Sequence, residues 1–311
     1  MKDVKSLTIL VVEDNPGDFD LISEYLSDVS WVAYDLIPCA SLQQAKEKLL
    51  VNTLDAVLLD LSLPDSTGIG TVSNMRSLSE RLPIIVLTGI DNDEVGEQSI
   101  QQGAQEYLAK NELNGRLLSR VIKYAIKRKQ MDLKLEKLAI TDPLTELYNR
   151  RYFFERGWNE YVRARRYEHA LAVVMMDIDY FKKVNDVYGH ICGDKVLVNV
   201  AALLKKTVRG IDLVSRFGGE EFIVLIPETE LKGVQLLAER MRLEVADTPI
   251  EHNGKSFHIS ISIGVAMIDA NNGDFESMIN QADIALYKAK DKGRNRVELY
   301  DGGLCDDYLS D

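Results

Sequence analysis

Over its first 125 residues the chain repeats one pattern: a strand-length apolar run, a polar break, then a segment of helical periodicity. "LTILVVED" precedes "FDLISEYLSD", "DAVLLDLSLPD" precedes "GTVSNMRSLSE", "LPIIVLTG" precedes "GEQSIQQG", and "EYLAK" precedes "LLSRVIKYAIKR". Strands that are apolar on both faces must be covered on both sides, and their alternation with amphipathic helices predicts a doubly wound parallel sheet. Such sheets bind ligands beyond the carboxyl ends of their strands. The residues that close the runs are therefore the first candidates for chemistry: Glu13 and Asp14, Asp60, Thr88 and Lys110.

The chain continues well past this unit. Its 311 residues suit two domains at roughly 150 residues each. No apolar run approaches the ~18 residues of a membrane span. The opening "MKDVKSLTILVVEDN" meets acids too early for a secretion signal. Cys39, Cys192 and Cys305 are too scattered for a disulfide framework or a zinc cluster. The expectation is a cytoplasmic protein with no membrane partner. Net charge is −12, and residues 1–125 hold 10 basic and 19 acidic residues, a net −9. That balance lacks the basic footprint of a nucleic-acid binder. Residues 141–300 hold 22 basic and 24 acidic residues, which leaves room for local basic pockets around an anionic small molecule.

Residues 117–140 read as one helix without proline or glycine. Leu118, Ile122 and Ala125 fit a heptad seam, and so do Met131, Leu135 and Leu138, but the two sets are one residue out of step. A dimerising coiled coil and a solvated linker both remain open. From Thr141 a second unit mixes helices with hairpins: a helix cap within "TDPLTELYNRRYF", a strand "LAVVMMDID", and a hairpin closed by Gly218-Gly219. This predicts an α+β domain with an antiparallel part. The organisation is thus 1–125, a helical linker 126–140, 141–300, and a frayed acidic tail 301–311.

If the first sheet is wound as predicted, Glu13, Asp14 and Asp60 converge at one rim, where hard carboxylate oxygens suit Mg²⁺. Asp60 could then attack a phosphoryl donor, with Thr88 and Lys110 stabilising the added oxygens. Singly, an acid after a strand is more often a cap or loop residue. Together, "LVVEDN", "LLDLSLPDSTG", "VLTG" and "YLAK" resemble the receiver domain of bacterial response regulators. The resemblance implies a five-stranded flavodoxin-like fold and one Mg²⁺ held by Glu13, Asp14 and Asp60. It also implies Asp60 as phosphoacceptor, Thr88, Lys110 and Tyr107 as the switch residues, and a sensor histidine kinase as partner. Many receivers place proline after the lysine; this chain has Asn111, so no cis bond is expected there.

The second unit raises a sharper problem. In "SRFGGEEFIVLIP" two glutamates stand at the mouth of an apolar strand. Paired glycines accept the positive φ angles of primed hairpin turns, and two solvated glutamates on a plain hairpin are the bland alternative. Upstream, "MMDIDYFKKVNDVYGHICGD" puts Asp177 at the end of another buried strand. If the strands are neighbours, Asp177, Glu220 and Glu221 form a cluster that needs cations, and two Mg²⁺ ions could neutralise it while gripping a nucleoside triphosphate. The chain has no P-loop and no kinase glycine loop.

Residues 141–300 resemble a GGDEF domain, a diguanylate cyclase, written here as "GGEEF". The resemblance implies a palm-like domain in which two GTP molecules, one per protomer of a homodimer, condense to cyclic di-GMP and two pyrophosphates. It assigns metal to Asp177, the carbonyl of Ile178, Glu220 and Glu221, with Glu220 as acceptor of the hydroxyl proton. Asn185 and Asp194 would read the guanine edge, Phe181 and Leu147 would line its pocket, and Lys182, Lys290 and Arg294 would meet phosphates. "RGID" carries Arg209 and Asp212 in the spacing of the family's inhibitory site for its product, with Arg163 or Arg166 as partner arginine. On spacing alone that pair would be a surface ion pair. The alternative function is a silent module that binds GTP or cyclic di-GMP without turnover.

Overall fold

The computed structural model describes residues 6–89, 93–268 and 273–302. The chain divides into two compact units, Met1–Glu136 and Lys137–Asp311. The predicted frayed tail falls, from residue 303 on, outside the described residues.

The first unit runs β1 (Ser6–Val12), α1 (Pro16–Ser27), β2 (Ala33–Cys39), α2 (Leu42–Val51), β3 (Ala56–Asp60), α3 (Gly70–Leu78), β4 (Ile84–Thr88), α4 (Asp93–Gln101) and β5 (Glu106–Ala109). The five strands are all parallel, in the order β2-β1-β3-β4-β5. The period of two along β1 divides it between two cores: Ile9 and Val11 face one layer of helices, Leu10 and Val12 the other. Every residue of β3 and β4 is buried, as the unbroken apolar runs require. Asp60 and Thr88 thereby end up at the carboxyl rim.

Helix α5 (Gly115–Ile140) accounts for the phase break between the two heptad sets. Leu118, Ile122 and Ala125 are buried in the first unit's core with Ile9 and Val11, so they are not a free seam. Met131, Leu135 and Leu138 are each more than half exposed. The two sets serve different surroundings, and nothing requires them to keep one register.

The second unit runs β6 (Tyr148–Asn149), α6 (Arg150–Tyr167), β7 (Leu171–Ile178), α7 (Phe181–Tyr188), α8 (His190–Thr207), β8 (Leu213–Arg216), β9 (Glu221–Pro227), α9 (Leu231–Asp247), β10 (Ile261–Met267), α10 (Phe275–Asp291) and β11 (Val297–Leu299). The sheet order is β11-β10-β7-β9-β8-β6. It is mixed: β7 pairs antiparallel with β9 and β10, while β10 with β11 and β8 with β6 are parallel. β7 is buried at all eight positions and lies between two apolar layers. The cap of α6 is Asn149, whose side chain accepts from the Tyr152 N–H at 2.9 Å.

Candidate functional site

The second unit's site grows from strand register. Antiparallel pairing sets Glu221 of β9 opposite Asp177 of β7, and Ser262 of β10 flanks Asp177 on the other side. The Ile178 N–H donates to the Glu220 carbonyl at 3.3 Å. Asp177, Ile178, Glu220 and Glu221 are thus gathered at one end of the central strands. Asp177 is buried, and Lys290 of α10 places its Nζ 2.9 Å from Oδ2.

The electrostatics show what this crowding costs. Burial raises the Asp177 carboxyl above its ordinary pKa, with Lys290 offsetting only part. Burial and the Asp177 charge raise Glu220. Burial, Asp177 and Asp283 raise Glu221 against the pull of Lys290 and Arg150. Three acids held above their normal range, with one lysine in direct contact, are a donor set short of positive charge. Hard oxygen donors of this kind fit a divalent cation. Among the described residues, though, it is the first unit that brings three carboxylates within 4.8 Å of one another.

The glycines before these glutamates act differently from a primed turn. Neither Gly218 nor Gly219 has a positive φ. The loop from Phe217 to Glu220 is closed by the Phe217 and Gly218 N–H groups, both donating to the Glu221 carbonyl at 2.8 and 3.3 Å. At Gly218 a Cβ would meet the Glu221 carboxylate, so a side chain there would displace that carboxylate from its present position. A four-residue loop does not need the left-handed residues that a two-residue turn demands.

Two acids that sequence reasoning passed over shape the same loop and strand end. Arg216 NH1 contacts both Asp142 carboxylate oxygens at 3.2 Å, and its NH2 donates to the Gly219 carbonyl at 2.7 Å. Asp142 also accepts from the Thr145 N–H and hydroxyl. Its carboxyl lies below its usual range, since these donors and Arg216 outweigh its burial. The second is Asp179, buried among Ser260, Ser262 and the backbone of Asn295. The spacing D-x-D in "MDID" was its only signal.

The other predicted residues fall into three groups. Phe181 and Leu147 are buried in one cluster. Asn185 is half-buried, with its amide beside Gly193, whose successor Asp194 is exposed. Arg294 stacks 4.7 Å from the Tyr180 ring and reaches the Lys290 carbonyl, whereas Lys182 is exposed on α7. Arg209 and Asp212 make no ion pair: the buried Asp212 carboxylate accepts the Arg209 backbone N–H at 2.8 Å, which leaves the Arg209 side chain exposed. Arg163 pairs with Glu228 at 3.2 Å, and Arg166 lies over the Tyr167 ring.

At the rim of the first unit, Lys110 Nζ reaches Glu13 at 2.7 Å, Asp18 at 2.6 Å and Asp60 at 2.5 Å. Burial alone would lower the lysine pKa, but the three carboxylates raise it well above normal. Glu13 is raised by burial and by the Asp60 charge, against the Lys110 contact. Asp18, not singled out from sequence, joins the cluster because α1 begins just after β1. Asp14 is exposed and stands outside the close group. Thr88 is buried at the same rim, and the Tyr107 ring occupies the space that a Cβ on Gly96 would fill.

Comparison with known proteins joins both sites to families. The response regulator receiver domain matches residues 9–122, and the family described as diguanylate cyclase, GGDEF domain, matches residues 139–296. The response regulator PleD of Caulobacter vibrioides is 34% identical over 256 residues, covering 78% of this chain and 56% of PleD. Diguanylate cyclase DgcP of Pseudomonas aeruginosa is 43% identical over 161 residues, covering 52% of this chain and 24% of DgcP. The chain therefore spans little more than half of the first relative and a quarter of the second. The crystal structure of the coiled coil and GGDEF domain of DgcB from Caulobacter crescentus, in complex with c-di-GMP, superposes with a TM-score of 0.54 at 28% identity. It covers 59% of this chain and 97% of that one. The parallel receiver sheet, the mixed second sheet and these matches together place the chain in the GGDEF diguanylate cyclase family, among members that carry a response-regulator receiver domain.

Proposed function

We propose that this protein condenses two GTP molecules to cyclic di-GMP and two pyrophosphates, under control of phosphorylation at Asp60. The observation that carries the reading is the register that sets Glu221 opposite Asp177, with Glu220 beside them and Lys290 above. Mg²⁺ bound by Asp177, the Ile178 carbonyl, Glu220 and Glu221 would neutralise the cluster and polarise the triphosphate. Glu220, its carboxyl raised above the usual range, is a stronger base than a free glutamate and accepts the proton of the ribose 3′-hydroxyl. The hydroxyl oxygen bonds to the α-phosphorus of the second GTP as the bond to its β-phosphate breaks, releasing pyrophosphate. Lys290 and Arg294 hold the phosphates. Asn185 and Asp194 pair with the guanine edge, with Phe181 and Leu147 behind the base. An adenine that left Asp194 unpaired would lose roughly 1–3 kcal/mol.

Each protomer supplies half of this reaction centre, so alignment of two copies is the controlled step. In the receiver, the donor's phosphorus–nitrogen bond breaks as Asp60 gains its phosphoryl group from a sensor histidine kinase. Glu13, Asp14 and Asp60 would hold one Mg²⁺ there, and Thr88, Lys110 and Tyr107 report the change. Incubation with GTP and Mg²⁺ should yield cyclic di-GMP and pyrophosphate in a one-to-two ratio, abolished by Glu220→Gln and unresponsive to a phosphodonor in Asp60→Asn. Unchanged pyrophosphate release by Glu220→Gln would defeat the assignment.

A further inference from the structure

Asp179 lies two residues beyond Asp177, and only 5% of its surface is exposed. Its carboxylate is occupied by neutral donors. Ser262 Oγ donates to Oδ1 at 2.6 Å, Ser260 Oγ to Oδ2 at 2.6 Å, and the Asn295 backbone N–H to Oδ2 at 3.0 Å. Its own N–H donates to the Ser260 carbonyl at 2.9 Å. A carboxylate so filled has little left for a metal or a substrate. It fastens the end of β7 to the start of β10 and to the turn after α10.

That turn is strained. Gly293, Arg294 and Asn295 have φ of +112°, +64° and +46°, three successive residues in the left-handed region, which glycine and asparagine tolerate and the Arg294 side chain disfavours. Such a backbone persists only where surrounding contacts hold it. Here Asp179 holds the Asn295 N–H, and Arg242 NH1 holds the Asn295 side-chain oxygen at 2.7 Å. The neighbouring Tyr180 is itself left-handed, at φ +58°, and its ring sits 4.7 Å from the Arg294 guanidinium. Consecutive residues thus secure both the backbone and the side chain of one turn. The turn follows the helix end from which Lys290 reaches Asp177.

We infer that Asp179 and Tyr180 are positioning residues that hold Arg294, and with it the Lys290 end of α10, where the two cations meet the terminal phosphates of the substrate. The inference rests on the reading of Lys290 and Arg294 as phosphate contacts given above. It predicts a selective defect, because neither Asp179 nor the turn at 293–295 supplies any of the guanine contacts read above at Asn185 and Asp194.

The experiment is titration calorimetry of the full chain with Mg²⁺, comparing GMP with the α,β-methylene analogue of GTP, whose bridging carbon blocks pyrophosphate departure. The wild-type protein should bind the analogue about tenfold or more tightly than GMP. Asp179→Ala should reduce that ratio to about twofold or less while GMP affinity stays within about twofold of wild type. Asp179→Asn keeps an acceptor for the Asn295 N–H and should retain most of the ratio. An unchanged ratio in Asp179→Ala, or equal weakening of both ligands, overturns the inference. If Asp179→Ala does not fold, Tyr180→Ala, at a residue 64% exposed, decides: a lowered ratio supports the inference and a wild-type ratio refutes it. A wild-type ratio near one identifies a different failure, since it removes the phosphate role of Lys290 and Arg294 and the inference with it.

Discussion

Glu221 and Asp177 are cross-strand partners in an antiparallel ladder, two carboxylates facing each other where like charges destabilise a sheet. Both have carboxyls raised above their ordinary values of 4.5 and 3.8. For an acid with a raised folded pKa the native state binds more protons than the unfolded chain, so stability falls as pH climbs from the ordinary carboxyl range through the raised values. Glu221→Gln should therefore melt higher than wild type at neutral pH without metal, by roughly 2–4 °C per kcal/mol of repulsion removed. The gap should narrow as pH drops toward the ordinary range, and Mg²⁺ should stabilise wild type more than the variant. Thermal melts of the full chain across pH check this; a variant less stable than wild type at neutral pH would contradict it.

The receiver cluster makes the opposite use of a lysine. Lys110 supplies the positive charge for buried Glu13 and Asp60 and for Asp18. Its raised pKa means this contribution is fully present below the normal lysine range and is lost only as pH rises beyond it. Lys110→Ala leaves the acids unpaired and should cost ~1–3 kcal/mol of receiver stability, discounted from a fully buried pair because Lys110 is partly exposed. Mg²⁺ should restore much of the loss, because a cation can take the vacated place. Urea unfolding with and without Mg²⁺ is the measurement. Loss of stability that Mg²⁺ leaves untouched would argue against a metal at these acids.

Much of this was legible in the sequence because its signal was local. Runs such as "AVLL" and "LAVVMM" are apolar without interruption, and their burial on both faces follows directly. The acids that end them fall at strand ends for the same reason. What escaped were residues whose role depends on distant partners. Asp142 meets Arg216 across 74 positions and Asp179 meets Asn295 across 116, and no spacing in the chain advertises either contact. The glycine pair was misread in detail, since neither glycine has a positive φ and the loop closes instead through two N–H groups donating to the Glu221 carbonyl. The helix phase break was visible, but only the burial of Leu118, Ile122 and Ala125 explains it.

Arg216 offers a test of how firmly the glutamate loop must be held. Its guanidinium joins Asp142, in the turn after α5, to the Gly219 carbonyl, one residue before Glu220. Arg216→Lys keeps the charge but cannot fork between a carboxylate and a carbonyl. Turnover should fall about tenfold or more, as expected when a catalytic loop is displaced. KM for GTP should change less, because Asn185 and Asp194, the residues proposed to read guanine, lie on α7 and α8. Steady-state kinetics separates the two parameters, and a variant with wild-type kcat would show that the loop holds itself.

The last prediction concerns Arg209, whose exposed side chain follows from the way Asp212 is used. Asp212 takes the Arg209 backbone N–H, so the aspartate builds the turn and the guanidinium is left to project from it. One Asp212 oxygen, Oδ1, is buried without a hydrogen-bond partner, and a donor from a bound base would reach it only with a shift of the turn. A guanine or phosphate of cyclic di-GMP could meet both groups, the arginine as a fork and the carboxylate as an acceptor. Arg209→Ala should leave folding and initial rate near wild type, since its exposed side chain makes no hydrogen bond or ion pair among the described residues. It should also raise the concentration of added cyclic di-GMP needed for half-inhibition by about tenfold or more. Asp212→Ala should relieve inhibition too, but with a loss of stability of ~1 kcal/mol from the broken turn. Inhibition curves for Arg209→Ala that overlay those of wild type would remove the product site from this surface.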